Sequence, residues 1–412
     1  MYLDRNFYSL TTNREAAEAY NAGLDKLLSA NAGAEKDFAR ALAADPDYAP
    51  AYAALARHHQ IYGDRAHAKA AIAAARDKVP KLSGREAGLV ACLSFVLDGK
   101  GGDALAAIQA HLKEFPRDAL ALSPVCGVFG VYGFSGRAGR DKELRDYLDT
   151  LESGFGDDWW FLVQHGFARI ETGDVAAGAA KVERAMELFP REANGAHIRA
   201  HAHYETGESQ AGFAALTAWI ETYPRESLLH CHLDWHRALW ALDLGKADDA
   251  WAIYRASVAP GAIWGPTLNV ATDAASFLLR SEFAGAARDI AEWKRVADYI
   301  RAEFPRAGIA FVDVHALLAS AMAGDDEAFI ERKSGLRGPA VDMVAGLGEA
   351  FRSYAKGDYA AAAASLAPLL PAHERIGGSR AQRDLLEELY VQALRHAGRT
   401  ADAAAYAKTR RH

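Results

Sequence analysis

Thr172-Gly173-Asp174-Val175-Ala176-Ala177-Gly178-Ala179-Ala180-Lys181-Val182-Glu183-Arg184-Ala185-Met186-Glu187-Leu188-Phe189-Pro190-Arg191 contains one helix together with both of its boundaries. Gly173 accepts the left-handed conformation that closes the helix before it. The Ala-rich run from Ala176 to Leu188 has high helix propensity. Pro190 ends that run and is tolerated in the first turn of the next helix.

Both boundary signals recur along the chain. Pro follows an acidic or aromatic residue at Asp45-Pro46, Phe115-Pro116, Tyr223-Pro224 and Phe304-Pro305. Gly sits in a polar turn at Gly63, Gly207, Gly245, Gly324, Gly357 and Gly398. With Gly285 included, the turns from Gly173 onward are 33 to 41 residues apart. Tetratricopeptide units are about 34 residues long, each a pair of antiparallel helices. No segment shows sustained period-two alternation. The pattern therefore predicts an all-α, tetratricopeptide-like α-solenoid of degenerate antiparallel helix pairs, the looser spacing being read as longer helices. Tyr48-Ala49-Pro50-Ala51-Tyr52-Ala53-Ala54-Leu55-Ala56 has the small-and-large composition of such a repeat.

No Ser-rich or Pro-rich linker divides the chain, so 1–412 reads as one continuous helical-repeat domain. N-terminal repeats are expected over 13–122, an irregular Gly-rich segment over 123–158, and C-terminal repeats over 159–412. Half of the 412 residues are hydrophobic, ample for a large core. Net charge is -7 and the basic residues are scattered. Neither nucleic acid nor a membrane surface is therefore an expected partner. No signal-peptide h-region and no apolar run of about 18 residues is visible. Cys92, Cys126 and Cys231 are odd in number and far apart, against a disulfide framework or a Cys-based zinc site. A cytoplasmic setting is expected.

Six of the fifteen histidines fall within 197–236: His197, His201, His203, His230, His232 and His236. His197 and His201 are four apart, as are His201 and Glu205, and His232 and His236. Each such pair shares one face of a helix. Measured back from the next Gly turn, Trp160 and Gln164, His197 and His201, His232 and His236, Asp273 and Ser276, and Asp313 and His315 occupy similar heights. All therefore lie on the first helices of their repeats, which line the concave wall of a solenoid. A single such His is most simply a hydrogen-bonded structural residue, but a band of titratable groups along one wall points to a site. His-x3-His with a carboxylate is a zinc-compatible set. No HExxH is present and no spacing fixes a third ligand, so the sequence requires no cofactor. Gly377-Gly378-Ser379 before a helix offers backbone N–H groups to an anion, or simply an N-cap at Ser379. Cys231, between two histidines, reads as a buried small residue in preference to an activated thiol.

These segments resemble the tetratricopeptide repeat protein 38 family. The resemblance rests on Ala200-His201-Ala202-His203 with Glu205, on Cys231-His232-Leu233-Asp234-Trp235-His236, and on Asp273 with Ser276. It extends to Phe311-Val312-Asp313-Val314-His315 and to Gly377-Gly378-Ser379-Arg380-Ala381-Gln382-Arg383-Asp384. It runs from about Asn13 to Arg395. Arg85-Glu86-Ala87-Gly88 departs from it, because the family tends to have a His where Gly88 stands. The resemblance implies a helical-repeat fold and a cytoplasmic setting, and no established reaction.

Two functional readings follow. In the first, a polar pocket on the concave face binds a small polar molecule, with acid–base or hydrolytic chemistry assigned to His201, His232, His236, Asp313 and His315. Trp160, Gln164, His197, Glu205, Trp235, Asp273, Ser276, Ser379, Gln382 and Asp384 are then its ligand-binding residues. In the second, the chain is a non-catalytic scaffold whose groove holds a peptide or partner protein. A tight superhelix that brings residues from Gln164 to Asp384 into one lumen favours the first.

Overall fold

The computed structural model describes residues 1–82 and 84–409. It is an all-α solenoid. Over the C-terminal two thirds, helix pairs follow one another as Trp159–Glu171 with Val175–Leu188, Ala193–Thr206 with Ser209–Ile220, and His230–Asp243 with Ala247–Ile253. Thr267–Phe283 then pairs with Ile290–Glu303, Ala310–Ala323 with Asp326–Ser334, Val341–Ala355 with Tyr359–Leu366, and Arg380–His396 with Thr400–Ala407. First helices pack on their own partners, and several also pack on the first helix of a neighbouring repeat, as 230–243 does on 267–283, and 267–283 on 310–323. Their interfaces carry small residues flush against large ones: Ala271, Ala274, Ala275, Ala316 and Ala319 lie in one core with Trp235, Phe277, Phe311 and Phe351. Among the described residues no helix is long and apolar enough to cross a membrane.

The extra length of the looser repeats lies mainly in the connectors. Between Leu188 and Ala193 the chain needs four residues, whereas between Ile220 and His230 it needs nine. Tyr254–Val258 is a π-turn that extends a short second helix. Most first helices keep 13 to 15 residues, and Thr267–Phe283 and Arg380–His396 reach 17.

The segment 123–158 is irregular only in its first half. Arg140–Phe155 is a helix, whose buried Arg140, Leu144, Leu148, Leu151 and Phe155 recur at helical spacing along one face. Its flanking glycines, Gly139 and Gly156, sit at the two caps and do not interrupt it.

The superhelix is tight enough to close on itself. Ala193 N–H donates to the Ser29 carbonyl (3.1 Å), and the Asn194 amide to the Leu28 carbonyl (3.1 Å). Tyr223 O–H donates to the Ala30 carbonyl. Tyr62 stacks on Trp264, with ring centroids 4.8 Å apart. Arg140 donates to the carbonyls of Glu374 (2.7 Å) and Gly378 (2.8 Å). An N-terminal hairpin, Tyr2–Leu3 antiparallel to Ser9–Leu10, clips the first turn together. Its Asp4 pairs with Arg85, its Asn6 amide donates to Asp158 (3.2 Å), and its Arg5 guanidinium lies 4.5 Å from the Trp159 ring centroid.

Candidate functional site

Helix Ala193–Thr206 is started by Glu192, which accepts from the Gly195 N–H as N-cap, and is closed by Gly207 in the left-handed region. Helix His230–Asp243 follows the Tyr223-Pro224 turn. His197 and His201 project from the first, His232 and His236 from the second. One nitrogen from each of the four rings lies within 4.8 Å of all the others. The rings form a closed circuit, 197–201–236–232, with successive centroids 4.6, 4.9, 4.9 and 4.8 Å apart. Across the circuit His197 and His236 are 5.3 Å apart. His197 Nε2 is 3.0 Å from His201 Nε2 and 3.1 Å from His232 Nε2.

Apolar and aromatic groups seal this cluster. Trp235 stacks on His232 at 5.1 Å and Phe167 meets His201 at 5.1 Å. His201, His232 and His236 are buried and His197 is part-exposed. Burial, reinforced by the neighbouring rings, lowers the pKa of His201 to about 3 and holds His197 and His236 well below the ordinary range. Those three rings are therefore neutral at physiological pH. His232 Nδ1–H donates to Asp273 Oδ2 (2.6 Å) from helix Thr267–Phe283, which places that ring's free lone pair on Nε2.

The other two histidines of the segment turn away. His203 Nδ1 meets Glu208 (2.9 Å) at the helix end, and His230 Nδ1 bonds the Tyr223 carbonyl (3.1 Å). Cys231 is buried, which pushes its thiol pKa well up and leaves it unactivated.

Beside the cluster, and joined to it through Glu171, lies a cavity of about 420 Å³. Its walls come from four separate stretches of sequence: Gly139 to Arg145, Glu171 with Thr172, Tyr204 with Glu205, and Pro371 to Glu387. Glu171 Oε1 is 3.6 Å from His201 Nδ1, while its Oε2 accepts the Arg380 N–H (2.7 Å). Burial, with Asp141 and Glu205 adding negative charge against the attraction of Arg383, raises the Glu171 pKa to about 8. Arg380 pairs with Glu205 (3.1 Å), Arg383 with Asp141 (3.0 Å), and Tyr204 O–H donates to Asp384. Arg280, fully buried, ties the wall together. It donates to Ser276 Oγ (2.7 Å), to Glu388 (2.9 Å) and to the Ala381 carbonyl (2.8 Å).

The structure thus brings His197, His201, His232, His236, Trp235 and Asp273 into one cluster, and Glu205 and Asp384 into the adjoining cavity. Ser276 reaches the same wall through Arg280. Other residues singled out in the sequence are committed elsewhere. Ser379 and Gln382 form a reciprocal capping box at the start of helix Arg380–His396, so the N-cap reading replaces the anion site there. Asp313 pairs with Arg332 (2.6 Å) and accepts from the Gly308 N–H (2.9 Å), which pins the loop before its helix. His315 bonds the Phe311 carbonyl through Nδ1 (2.7 Å). Trp160 packs on Phe155 in the core, and Gln164 is half-buried on the same helix. Sequence reasoning missed Glu171, Tyr204 and Arg280, and quoted Arg380 and Arg383 within a motif without giving them a role of their own. Glu171 ends a first helix one residue before Thr172-Gly173, where an acidic residue looks like ordinary solvated surface.

The departure at Gly88 also has a physical counterpart. A Cβ there would lie 2.7 Å from His111 Nδ1, so the missing side chain leaves room for that ring. His111 Nε2 meets Asp118 (3.0 Å), which also accepts from Arg85 Nε (3.0 Å).

No family model matches the chain. Among solved structures, a monomeric mutant of IFIT1 with Gppp-AAAA aligns over 99% of this chain and 97% of its own, at 9% identity and a TM-score of 0.47. The P58(IPK) TPR domain aligns over 94% and 99%, at 15% identity and a TM-score of 0.21. Naa15/Naa10 bound to HypK-THB aligns over 97% and 63%, at 13% identity and a TM-score of 0.23. Likeness at this level concerns helical-repeat build alone, and nothing about ligands passes from those proteins to this one. The class the elements themselves define is an all-α, tetratricopeptide-like helical-repeat solenoid.

Proposed function

We propose that this chain is a cytoplasmic helical-repeat protein of the tetratricopeptide repeat protein 38 kind, and that its lumen binds a small polar molecule. The observation that carries the reading is the cavity between Asp141, Glu171, Glu205, Arg380, Arg383 and Asp384. Groups of both signs from four separate stretches face one volume of about 420 Å³, within the range of small-molecule sites. A repeat array selected only for stacking fills such positions with Ala and Leu, as this chain does elsewhere. Burying charges costs several kcal/mol per ion unless each is paired. The alternating signs suit a zwitterion, or a molecule that carries an amine together with a carboxylate or amide. Acid–base chemistry by Glu171, which lines the cavity, on such a molecule belongs to the same proposal.

The test is a thermal-shift and native mass-spectrometry screen of amino-acid-like and amide metabolites. Arg380→Met is the informative variant, because Arg380 is the most exposed of these six residues (31% side-chain exposure) and Met keeps most of its aliphatic length. The expected result is stabilisation of the wild type by at least one metabolite, with affinity reduced tenfold or more in Arg380→Met. If no small molecule shifts the wild type while a peptide binds both forms equally, the cavity reading fails and the scaffold reading replaces it.

A further inference from the structure

We propose that His197, His201, His232 and His236 together bind one divalent first-row transition-metal ion through their imidazole nitrogens. The inference goes beyond the cavity reading and does not depend on it.

Asp273 accepts the hydrogen bond of His232 Nδ1–H, so His232 Nε2 presents a lone pair. That lone pair faces His197 Nε2 at 3.1 Å, and His197 Nε2 also faces His201 Nε2 at 3.0 Å. One N–H on His197 makes a straight bond to only one of them. His236 Nε2 is buried and has no hydrogen-bond partner at all. Four nitrogens thus converge with too few protons among them, and buried polar atoms left in this state are costly. A cation at the centre satisfies all four at once.

The spacing agrees. Two nitrogens bound at about 2.0–2.1 Å, with angles between square-planar and tetrahedral, lie about 2.9–3.4 Å apart. The two Nε2–Nε2 separations at His197, 3.0 and 3.1 Å, fall in that interval. The surroundings agree as well. A ligating His characteristically gives its other ring N–H to a carboxylate, which fixes its tautomer and orientation. Asp273 does this for His232. An all-imidazole set selects Zn²⁺, Cu²⁺, Fe²⁺ or Ni²⁺, and offers no oxygen to Mg²⁺ or Ca²⁺. The two i, i+4 pairs come from separate repeats, so the ion also staples neighbouring helix pairs.

The experiment uses the full-length protein, stripped with a chelator and titrated with Zn²⁺ by calorimetry and with Cu²⁺ by electron paramagnetic resonance. The expected result is one ion per chain, a Cu²⁺ spectrum with superhyperfine splitting from four nitrogens, and a rise in melting temperature on loading. His236→Ala should leave a three-nitrogen signature. If His236→Ala does not fold, Asp273→Asn serves in its place. Asp273 is a positioning residue, and its loss should weaken Zn²⁺ binding 10- to 100-fold with helical content unchanged. Arg380→Met, which tests the cavity, should bind metal as the wild type does, so the two proposals fail separately. A folded, stripped wild type that takes up no stoichiometric ion overturns the inference. So does a spectrum without multiple nitrogen ligands, or an Asp273→Asn affinity equal to that of the wild type.

Discussion

Gly378 lies at the centre of the Gly377-Gly378-Ser379 run, and its role is open to a quantitative test. Its φ is +76°, and an added Cβ would sit 2.8 Å from Cζ of Phe311 and closer still to Cε2. Phe311 is fully buried and cannot give way. Gly378→Ala therefore carries two penalties. The left-handed backbone costs an L-residue about 1–2 kcal/mol, and the overlap adds about 1–3 kcal/mol of overpacking. Gly324 isolates the first of these. It caps a helix at φ +72° and has nothing within 4 Å of its virtual Cβ. Urea unfolding followed by circular dichroism should show Gly324→Ala less stable than wild type by about 1–2 kcal/mol. Gly378→Ala should lose about 2–5 kcal/mol. The gap of about 1–3 kcal/mol is the Phe311 contact. Equal losses in the two variants would refute the claim that this motif serves close packing between the C-terminal repeat and helix Ala310–Ala323.

Glu192 is buried and its carboxyl pKa is raised by burial to about 8, so it keeps its proton in the native state from pH 4.5 to 8 while the unfolded chain loses it. Its contribution is full below about pH 4.5 and is lost as pH rises towards 8. Glu192→Gln should therefore flatten the fall in melting temperature over that window and gain on the order of a few kcal/mol relative to wild type at pH 8. An unchanged pH profile would be incompatible with a protonated Glu192. Tyr223→Phe removes the O–H that donates to the Ala30 carbonyl across one superhelical turn. It should cost about 1 kcal/mol and raise hydrogen exchange around 28–31, and exchange confined to the repeat that holds Tyr223 would count against a closed superhelix.

What the sequence disclosed follows the range of the interactions concerned. Gly and Pro act on the backbone within two or three residues, so Gly173, Gly207, Pro190 and Pro224 mark helix ends without knowledge of the rest. The i, i+4 pairs His197/His201 and His232/His236 are likewise local, and their shared face needs only helical geometry. Arg140–Phe155 was hidden because glycines at its ends resemble glycines throughout. The cavity was only half visible. Asp384 and Glu205 carry their own signal within motifs, but Arg280 and Tyr204 act through partners 101 and 180 residues away, which no local pattern encodes. Ser379 and Gln382 misled in the opposite sense, since a capping box and an anion-binding turn share the same residues.

The closure of the superhelix also changes what kind of object the array is. Solenoids whose repeats touch only their neighbours behave as one-dimensional chains that can gain, lose or fray units at little cost elsewhere. Here Ser29 meets Ala193, Tyr62 stacks on Trp264 and Arg140 holds Gly378. Inserting one repeat between any such pair would slip every contact between turns by a full unit and pull the two rims of the lumen out of register. Repeat number is therefore under the same kind of constraint as strand number in a closed barrel: it is set by a return condition. The ends of such an array are tied into its middle, so unfolding should spread through it as it does through a globular protein, and lineages should preserve its length even where its surface drifts.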